Sequence, residues 1–176
     1  ELYSSTFVKS GLELSNKNST AAIIGGGDGG VARECVKNNF DYIDWFELDK
    51  EVVDACQKYL PDVFKNIHKS NNVNCIWGDA FKNIVSCENE KYDHLFIDLN
   101  DDQFCINLAA KNINDIKRIT KKNGVITIQV GSKDKKPSQV NNWKETLESA
   151  FGNSMISEIY IPSFDCNWNF ISSINK

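Results

Sequence analysis

The feature that most constrains this chain is an alternation. Short β-rich apolar runs are each followed by a stretch with helical spacing. Residues 21–24 are apolar and end in the glycine cluster Gly25-Gly26-Gly27-Asp28-Gly29-Gly30, a buried strand meeting a tight turn. Residues 31–38 then read as a helix. Residues 42–48 are β-rich, and Asp49 is placed to cap a helix over 51–59. In that helix Val52, Val53, Cys56 and Leu60 recur at helical spacing before Pro61 stops the run. A third strand over 73–77 leads to a short helix over 81–85, and 94–97 is a fourth strand. Residues 104–120 predict one long amphipathic helix, with Ile106, Ala109, Ile113, Ile116 and Ile119 on a single stripe. A fifth strand over 124–130 and a helix over 143–151 follow, and two β-rich runs, 157–161 and 168–172, are expected to pair antiparallel at the sheet edge. Alternation of this kind predicts a parallel sheet with helices on both faces, because parallel neighbours need a crossover. The expectation is one Rossmann-like domain over residues 20–176, preceded by a polar lead-in over 1–19 that lacks clear periodicity from Ser10 to Ser19.

The 176 residues are enough for one domain with a real core. No apolar run approaches the roughly 18 residues that span a bilayer, and no signal peptide is visible. The chain opens at Glu1 without a Met, which points to a processed or shortened product. A net charge of −4 argues against nucleic acid or an anionic membrane as partner and suits a cationic ligand. The basic stretch 133–136 is interrupted by Asp134 and followed by Pro137, and reads as a solvated loop. Six cysteines (Cys35, Cys56, Cys75, Cys87, Cys105, Cys166) are scattered without a CxxC pair, and only His68 and His94 could join them. That pattern predicts free, mostly buried thiols in a reducing cytoplasm and no metal site.

In an open α/β sheet, ligands bind beyond the carboxyl ends of the strands, near the point where strand order reverses. The residues expected there are acidic: Asp28 in the glycine loop, Glu47 after the second strand, Asp79 after the third, and Asp98 with Asp101 after the fourth. Each has a plain alternative as a helix cap, a solvated strand end or a turn residue. Together they describe a ligand. A dinucleotide would place its pyrophosphate on the glycine loop and helix N-terminus. Asp28 opposes that, since two like charges at ~4 Å and an effective dielectric near ~20 cost about 4 kcal/mol. A carboxylate at Glu47 suits a ribose diol, and Asp79 could accept from an adenine amino group. The combination describes an adenosine with a positively charged arm.

The segments GGGDGGVAREC (25–35), ELDKEVVDACQKYLP (47–61), GDAF (78–81), YDHLFIDLND (92–101), NGVITIQVGS (123–132) and IPSFDCNWNF (161–170) resemble, in order and spacing, the motifs of the spermidine/spermine synthase family. The likeness covers roughly residues 20–172. It implies an α/β, Rossmann-like, methyltransferase-type mostly parallel sheet with helices on both faces and an antiparallel edge hairpin. It also implies transfer of the aminopropyl group of decarboxylated S-adenosylmethionine, a co-substrate, to a polyamine acceptor such as putrescine or spermidine. 5′-Methylthioadenosine would be released and no prosthetic group used. By position, the donor site would comprise Gly25, Gly27, Asp28, Gly30, Glu47, Asp79 and Ala80. Asp28 would take the amine of the aminopropyl arm, Glu47 the ribose and Asp79 the adenine. Asp98 would be the catalytic base, and Asp101, Gln129, Phe164 and Trp168 would serve the acceptor, with Tyr3 near the family's acceptor-site tyrosine. The resemblance further implies a homo-oligomer built with an N-terminal β domain, of which residues 1–19 would be a remnant link.

Two departures stand out: Asp102 where the family usually has proline, and Phe164 where it often has tyrosine. Two other readings stay open at this stage, a non-catalytic nucleotide-binding or partner subunit and an S-adenosylmethionine-dependent methyltransferase. The carboxylate of the latter's cofactor would face Asp28.

Overall fold

A computed structural model describes residues 1–15 and 17–176. Seven strands form one sheet in the order β3-β2-β1-β4-β5-β7-β6. They are β1 (Thr20–Gly25), β2 (Tyr42–Glu47), β3 (Val73–Trp77), β4 (Tyr92–Asp98), β5 (Thr120–Gly131), β6 (Ser154–Ile161) and β7 (Cys166–Ile174). The first five pair in parallel. β7 runs antiparallel to both β5 and β6, so the expected edge hairpin is present, with β6 outermost.

The central strands are mostly apolar because both of their faces are covered, with buried Asp44 in β2 and Asp93 and His94 in β4 among the exceptions. In β1, Ala21 and Ile23 point into a core with the buried side chains of α2 (Gly30–Lys37), α3 (Lys50–Tyr59) and α4 (Pro61–Lys69). Ala22 and Ile24 point the other way. There they meet α5 (Ala80–Asn83), α6 (Gln103–Lys111), α7 (Ile113–Ile119) and α8 (Pro137–Phe151). Asp49 caps α3 as expected, accepting from the N–H groups of Glu51 and Val52.

Several expectations are corrected. Residues 1–19 are not simply a lead-in: Leu2–Leu12 forms α1, with Phe7 and Val8 wholly buried against the β1–β4 face. The packing is close. A Cβ on Gly11 would lie 2.8 Å from Thr127 Oγ1 and 3.1 Å from the Phe96 ring, so the helix passes over the sheet at a residue without a side chain. Asn16, within that stretch, lies outside the described residues.

Pro61 ends α3, but it also begins α4, which the sequence reading missed. Leu60 sits outside the helical region, as the residue before a proline tends to, and Pro61 occupies the first turn of the next helix. The predicted 104–120 helix is two helices meeting at Asn112, whose backbone leaves the α-helical region (φ −99°, ψ 14°) while its side chain bonds the Leu108 carbonyl (2.8 Å). Pro137 starts α8 six residues before the predicted 143. All six cysteines are free. Only Cys35 and Cys166 are buried, and the other four are half-buried, less covered than expected. No helix among the described residues is long and apolar enough to cross a membrane.

Candidate active site

Strand order reverses between β1 and β4, and Asp28, Glu47, Asp79, Asp98 and Asp101 follow or close the carboxyl ends of the strands around that junction. Gly25 pairs with Asp98 across the two strands, and the Gly26 N–H donates to the Asp98 carbonyl at 2.9 Å. Gly25 has φ +82°, and a Cβ there would lie 2.3 Å from the Asp98 carbonyl oxygen, so this position needs glycine twice over. The loop then runs between two carboxylates. Asp98 Oδ2 is 3.1 Å from where a Gly26 Cβ would be, and Glu47 Oε2 is 3.1 Å from the equivalent point on Gly27. Gly30 opens α2, with Ser4 Oγ of α1 pressed against it.

The acids differ in what already occupies them. Asp28 is exposed, and its Oδ1 accepts from the Gly30 N–H at 2.8 Å, so the plain helix-start reading accounts for one oxygen. Glu47 is buried, its Oε1 accepting from the Asp49 N–H at 3.0 Å, with Oε2 turned to the loop. Asp79 caps α5 through the Phe81 and Lys82 N–H groups, lies 3.4 Å from Lys82 Nζ, and is followed by half-buried Ala80. Asp101 pairs with Lys136 at 3.0 Å. Among the described residues no lysine or arginine pairs with Asp28, Glu47 or Asp98. Asp102 caps α6 through the Cys105 N–H (2.8 Å), a role that proline at this position could not fill.

Asp98 ends β4, half-buried, and its carboxyl is pushed up to about 7. Loss of water is the main cause, and the charges of Asp28 and Glu47 add to it. Tyr3 works in the other direction, its hydroxyl donating to Asp98 Oδ1 at 2.5 Å and so favouring the ionised form. Burial, then the neighbouring Asp98 and the charges of Asp28 and Asp101, hold the Tyr3 phenol well above its ordinary range, so it remains a donor.

Tyr3 begins an aromatic wall. Its ring lies 6.1 Å from Phe164, 6.4 Å from Trp168 and 5.2 Å from Phe170, and Phe164 is 4.7 Å from Trp168. The Trp168 indole N–H donates to Gln129 Oε1 at 3.2 Å. The Gln129 amide N–H donates in turn to the Leu99 carbonyl, one residue past Asp98. The Gly131 N–H also donates to Gln129 Oε1, so the amide is committed within the chain.

The predicted residues therefore lie on one rim, from the glycine loop through Glu47 and Asp79 on one side to Asp98 and the β5–β7 end on the other. Two members were poorly legible. Tyr3 reaches Asp98 across 95 positions, and Lys136, read as part of a solvated loop, bonds Asp101. Val52, placed on a helical apolar stripe, is 45% exposed and faces Gly27, in the same region as exposed Leu48 and Trp77. Among the described residues no group of three or more His, Cys, Asp or Glu could hold a metal ion.

The model of the spermine/spermidine synthase domain family matches residues 1–176. The chain belongs to that family. A polyamine aminopropyltransferase of Korarchaeum cryptofilum is 28% identical over 171 residues, covering 96% of this chain and 53% of the relative. One from Prochlorococcus marinus strain MIT 9215 is 29% identical over 179 residues, covering 98% and 63%. The chain thus spans between half and two-thirds of these relatives' length. Among solved structures, a spermidine synthase in complex with the transition-state analogue AdoDATO superposes with a TM-score of 0.88 at 17% identity, covering 99% of this chain and 60% of that one. Spermidine synthase from Thermotoga maritima gives 0.87 with the same coverage. At that identity the likeness shows the fold.

Proposed function

We propose that this chain carries the donor site and catalytic base of an aminopropyltransferase. The enzyme would move the aminopropyl group of decarboxylated S-adenosylmethionine to putrescine or spermidine and release 5′-methylthioadenosine. One observation carries the reading: three carboxylates, Asp28, Glu47 and Asp98, converge on a single glycine loop with no cation of the described chain paired to them. Such a cluster is costly unless a cation completes it. The donor brings two, a sulfonium and a primary ammonium.

In this assignment Glu47 Oε2 and the backbone of Gly25, Gly27 and Gly30 receive the ribose and its arm. Asp28 takes the ammonium through its remaining oxygen. Asp79 and Ala80 meet the adenine edge, with Leu48, Val52 and Trp77 offering apolar faces to the ring. A polyamine nitrogen has a pKa near ~10.4 and no lone pair while protonated. Asp98, held near neutrality, accepts its proton, directly or through water. The freed amine attacks the methylene beside the sulfonium; the C–N bond forms as the C–S bond breaks, and the electron pair stays on sulfur as a neutral thioether. Alignment supplies most of the acceleration. The leaving group is built into the donor, so no redox or prosthetic group enters. Phe164 and Trp168 flank the acceptor's methylenes, Asp101 meets its far ammonium, and Gln129 serves by holding Trp168. We further place the protein in the cytoplasm as part of a homo-oligomer, with a small polyamine rather than nucleic acid or membrane as its partner.

Calorimetric titration with decarboxylated S-adenosylmethionine, S-adenosylmethionine and 5′-methylthioadenosine tests the reading. The decarboxylated donor is expected to bind best, and Asp98→Asn is expected to abolish transfer while keeping that binding. Preference for the carboxylated cofactor would replace the proposal with methyl transfer, and binding without turnover across several polyamines would favour a non-catalytic subunit.

A further inference from the structure

The basic loop 132–136 is not merely solvated. It is closed on itself by the Lys136 N–H donating to the Ser132 carbonyl (2.8 Å), and it leads directly into Pro137 and α8. It carries two ammonium groups to the mouth of the acidic rim. Lys135 Nζ donates to the Phe164 carbonyl at 3.0 Å, on the turn between β6 and β7. Lys136 Nζ donates to Asp101 twice, to Oδ2 at 3.0 Å and to its carbonyl at 3.1 Å. The Asp101 carboxylate in turn rests over Gly131, its Oδ2 3.2 Å from where a Cβ would stand; with φ +84° a side chain there would be strained as well as crowded. Gly131 follows Gln129 by two residues on β5, so Asp101 lies at the outer end of the strand that holds Trp168. Its charge reaches the Tyr3 phenol together with those of Asp98 and Asp28.

We propose that Lys136 is a specificity-determining residue: its ammonium occupies the carboxylate that would otherwise hold the far ammonium of a polyamine acceptor, and the acceptor must displace it. The inference rests on the aminopropyltransferase reading and deepens it. The pair is built to be displaced. Lys136 is 49% exposed and Asp101 34%, so both ends of the contact reach water and the pair is weak. A diamine or triamine entering along the Tyr3–Phe164–Trp168 wall with its reacting nitrogen at Asp98 exchanges one ammonium for another at Asp101. An amine without a second charge has nothing to exchange, and for it Lys136 is a bystander.

The test compares the wild-type chain, Lys136→Met and Lys136→Arg, the last two keeping the alkyl stem. KM and kcat are measured for 1-aminobutane, putrescine and spermidine, and spermidine binding is measured separately by calorimetry in the presence of 5′-methylthioadenosine. Lys136→Met is expected to lower KM for putrescine and spermidine about three- to fivefold, the scale a half-exposed ion pair can impose. It should leave kcat and the 1-aminobutane KM unchanged, and Lys136→Arg should match wild type. Transfer with unaltered or raised polyamine KM in Lys136→Met would overturn the inference and leave the transferase reading standing. Tighter spermidine binding in Lys136→Met without turnover in any variant would sustain the displacement and sink the transferase reading. Absence of spermidine binding to all three would overturn both.

Discussion

Replacing Asp98 by Asn should make the ligand-free protein more stable, and by an amount that depends on pH in a defined direction. The Asp98 carboxyl has an ordinary value of 3.8 and is held at about 7 in the folded chain. A carboxyl raised on folding binds more protons when folded than when unfolded, so between those two values the fold gains stability as pH falls. Above pH 7 the folded protein bears the whole cost of ionising a desolvated group between Asp28 and Glu47. Each pKa unit is worth about 1.36 kcal/mol, so that cost is about 4 kcal/mol at pH 8 and about 2 kcal/mol at pH 5.5. The amide removes the charge and keeps an oxygen for the Tyr3 hydroxyl. The variant should therefore exceed wild type by 2–4 kcal/mol, to order of magnitude, at pH 8, and the difference should shrink by about 2 kcal/mol at pH 5.5. Urea unfolding at the two pH values reads this directly. Other groups titrate in this range. Burial holds His94 down at about 4, so the fold loses stability as pH drops from 6.5 toward that value. That loss is common to both proteins and cancels in their difference. A variant no more stable than wild type at pH 8, or a gap independent of pH, would refute the claim that Asp98 is a strained, cation-seeking carboxylate.

Other expected outcomes follow from the same geometry. Tyr3→Phe removes the hydrogen bond that favours ionised Asp98, so under the proposed transferase reading the acid limb of the kcat/KM profile should move to higher pH by about one unit; an unmoved limb would count against Asp98 as the base or against any influence of the contact on it. Gly30→Ala would bring a Cβ within 2.2 Å of Ser4 Oγ and should cost about 1–3 kcal/mol in urea unfolding. Adding Ser4→Ala should recover most of it, and no recovery would mean that α1 does not press on α2 there. Asp44 is fully buried and accepts from Tyr42 Oη, Asn74 Nδ2, Lys91 Nζ and Tyr92 Oη. Asp44→Ala should thus cost about 1–3 kcal/mol, chiefly by leaving the buried Tyr92 hydroxyl without its acceptor, since Tyr42, Asn74 and Lys91 reach water. Although burial pushes the Asp44 carboxyl up, its four donors outweigh that and leave it below 3.8, so its contribution is present above 3.8 and lost as pH falls through the lowered value. A flat unfolding curve across that acid range in the wild type minus variant difference would count against it.

The parallel sheet was legible because the central strands are buried on both faces, which writes short unbroken apolar runs into residues 21–24 of β1 and 95–97 of β4. Caps are equally local: Asp49 and the α3 helix behind it need only one another. The acidic rim was legible for the same reason, since Asp28, Glu47, Asp79 and Asp98 are each fixed by the end of their own strand. α1 was not. Its stripe is weak, with Ser4, Ser10 and Gly11 on the buried side, and it is held by fit against Thr127, Phe96 and Gly30, which sequence spacing does not encode. The break at Asn112 is a departure of one residue's backbone from the helical region (φ −99°, ψ 14°), which the apolar stripe running past it does not register.

What the sequence by itself determined is the order of elements, the parallel sheet and the row of carboxylates at its strand ends, because these depend on local periodicity and on which residue closes each strand. Tertiary structure alone decided which of those carboxylates are free to receive a cation. Lys136 covers Asp101 from 35 positions away, Tyr3 reaches Asp98 from 95, and the burial that lifts Asp98 toward neutrality exists only once α1, the glycine loop and β4 have closed around it. Charge is written residue by residue, but desolvation and pairing belong to the folded surface.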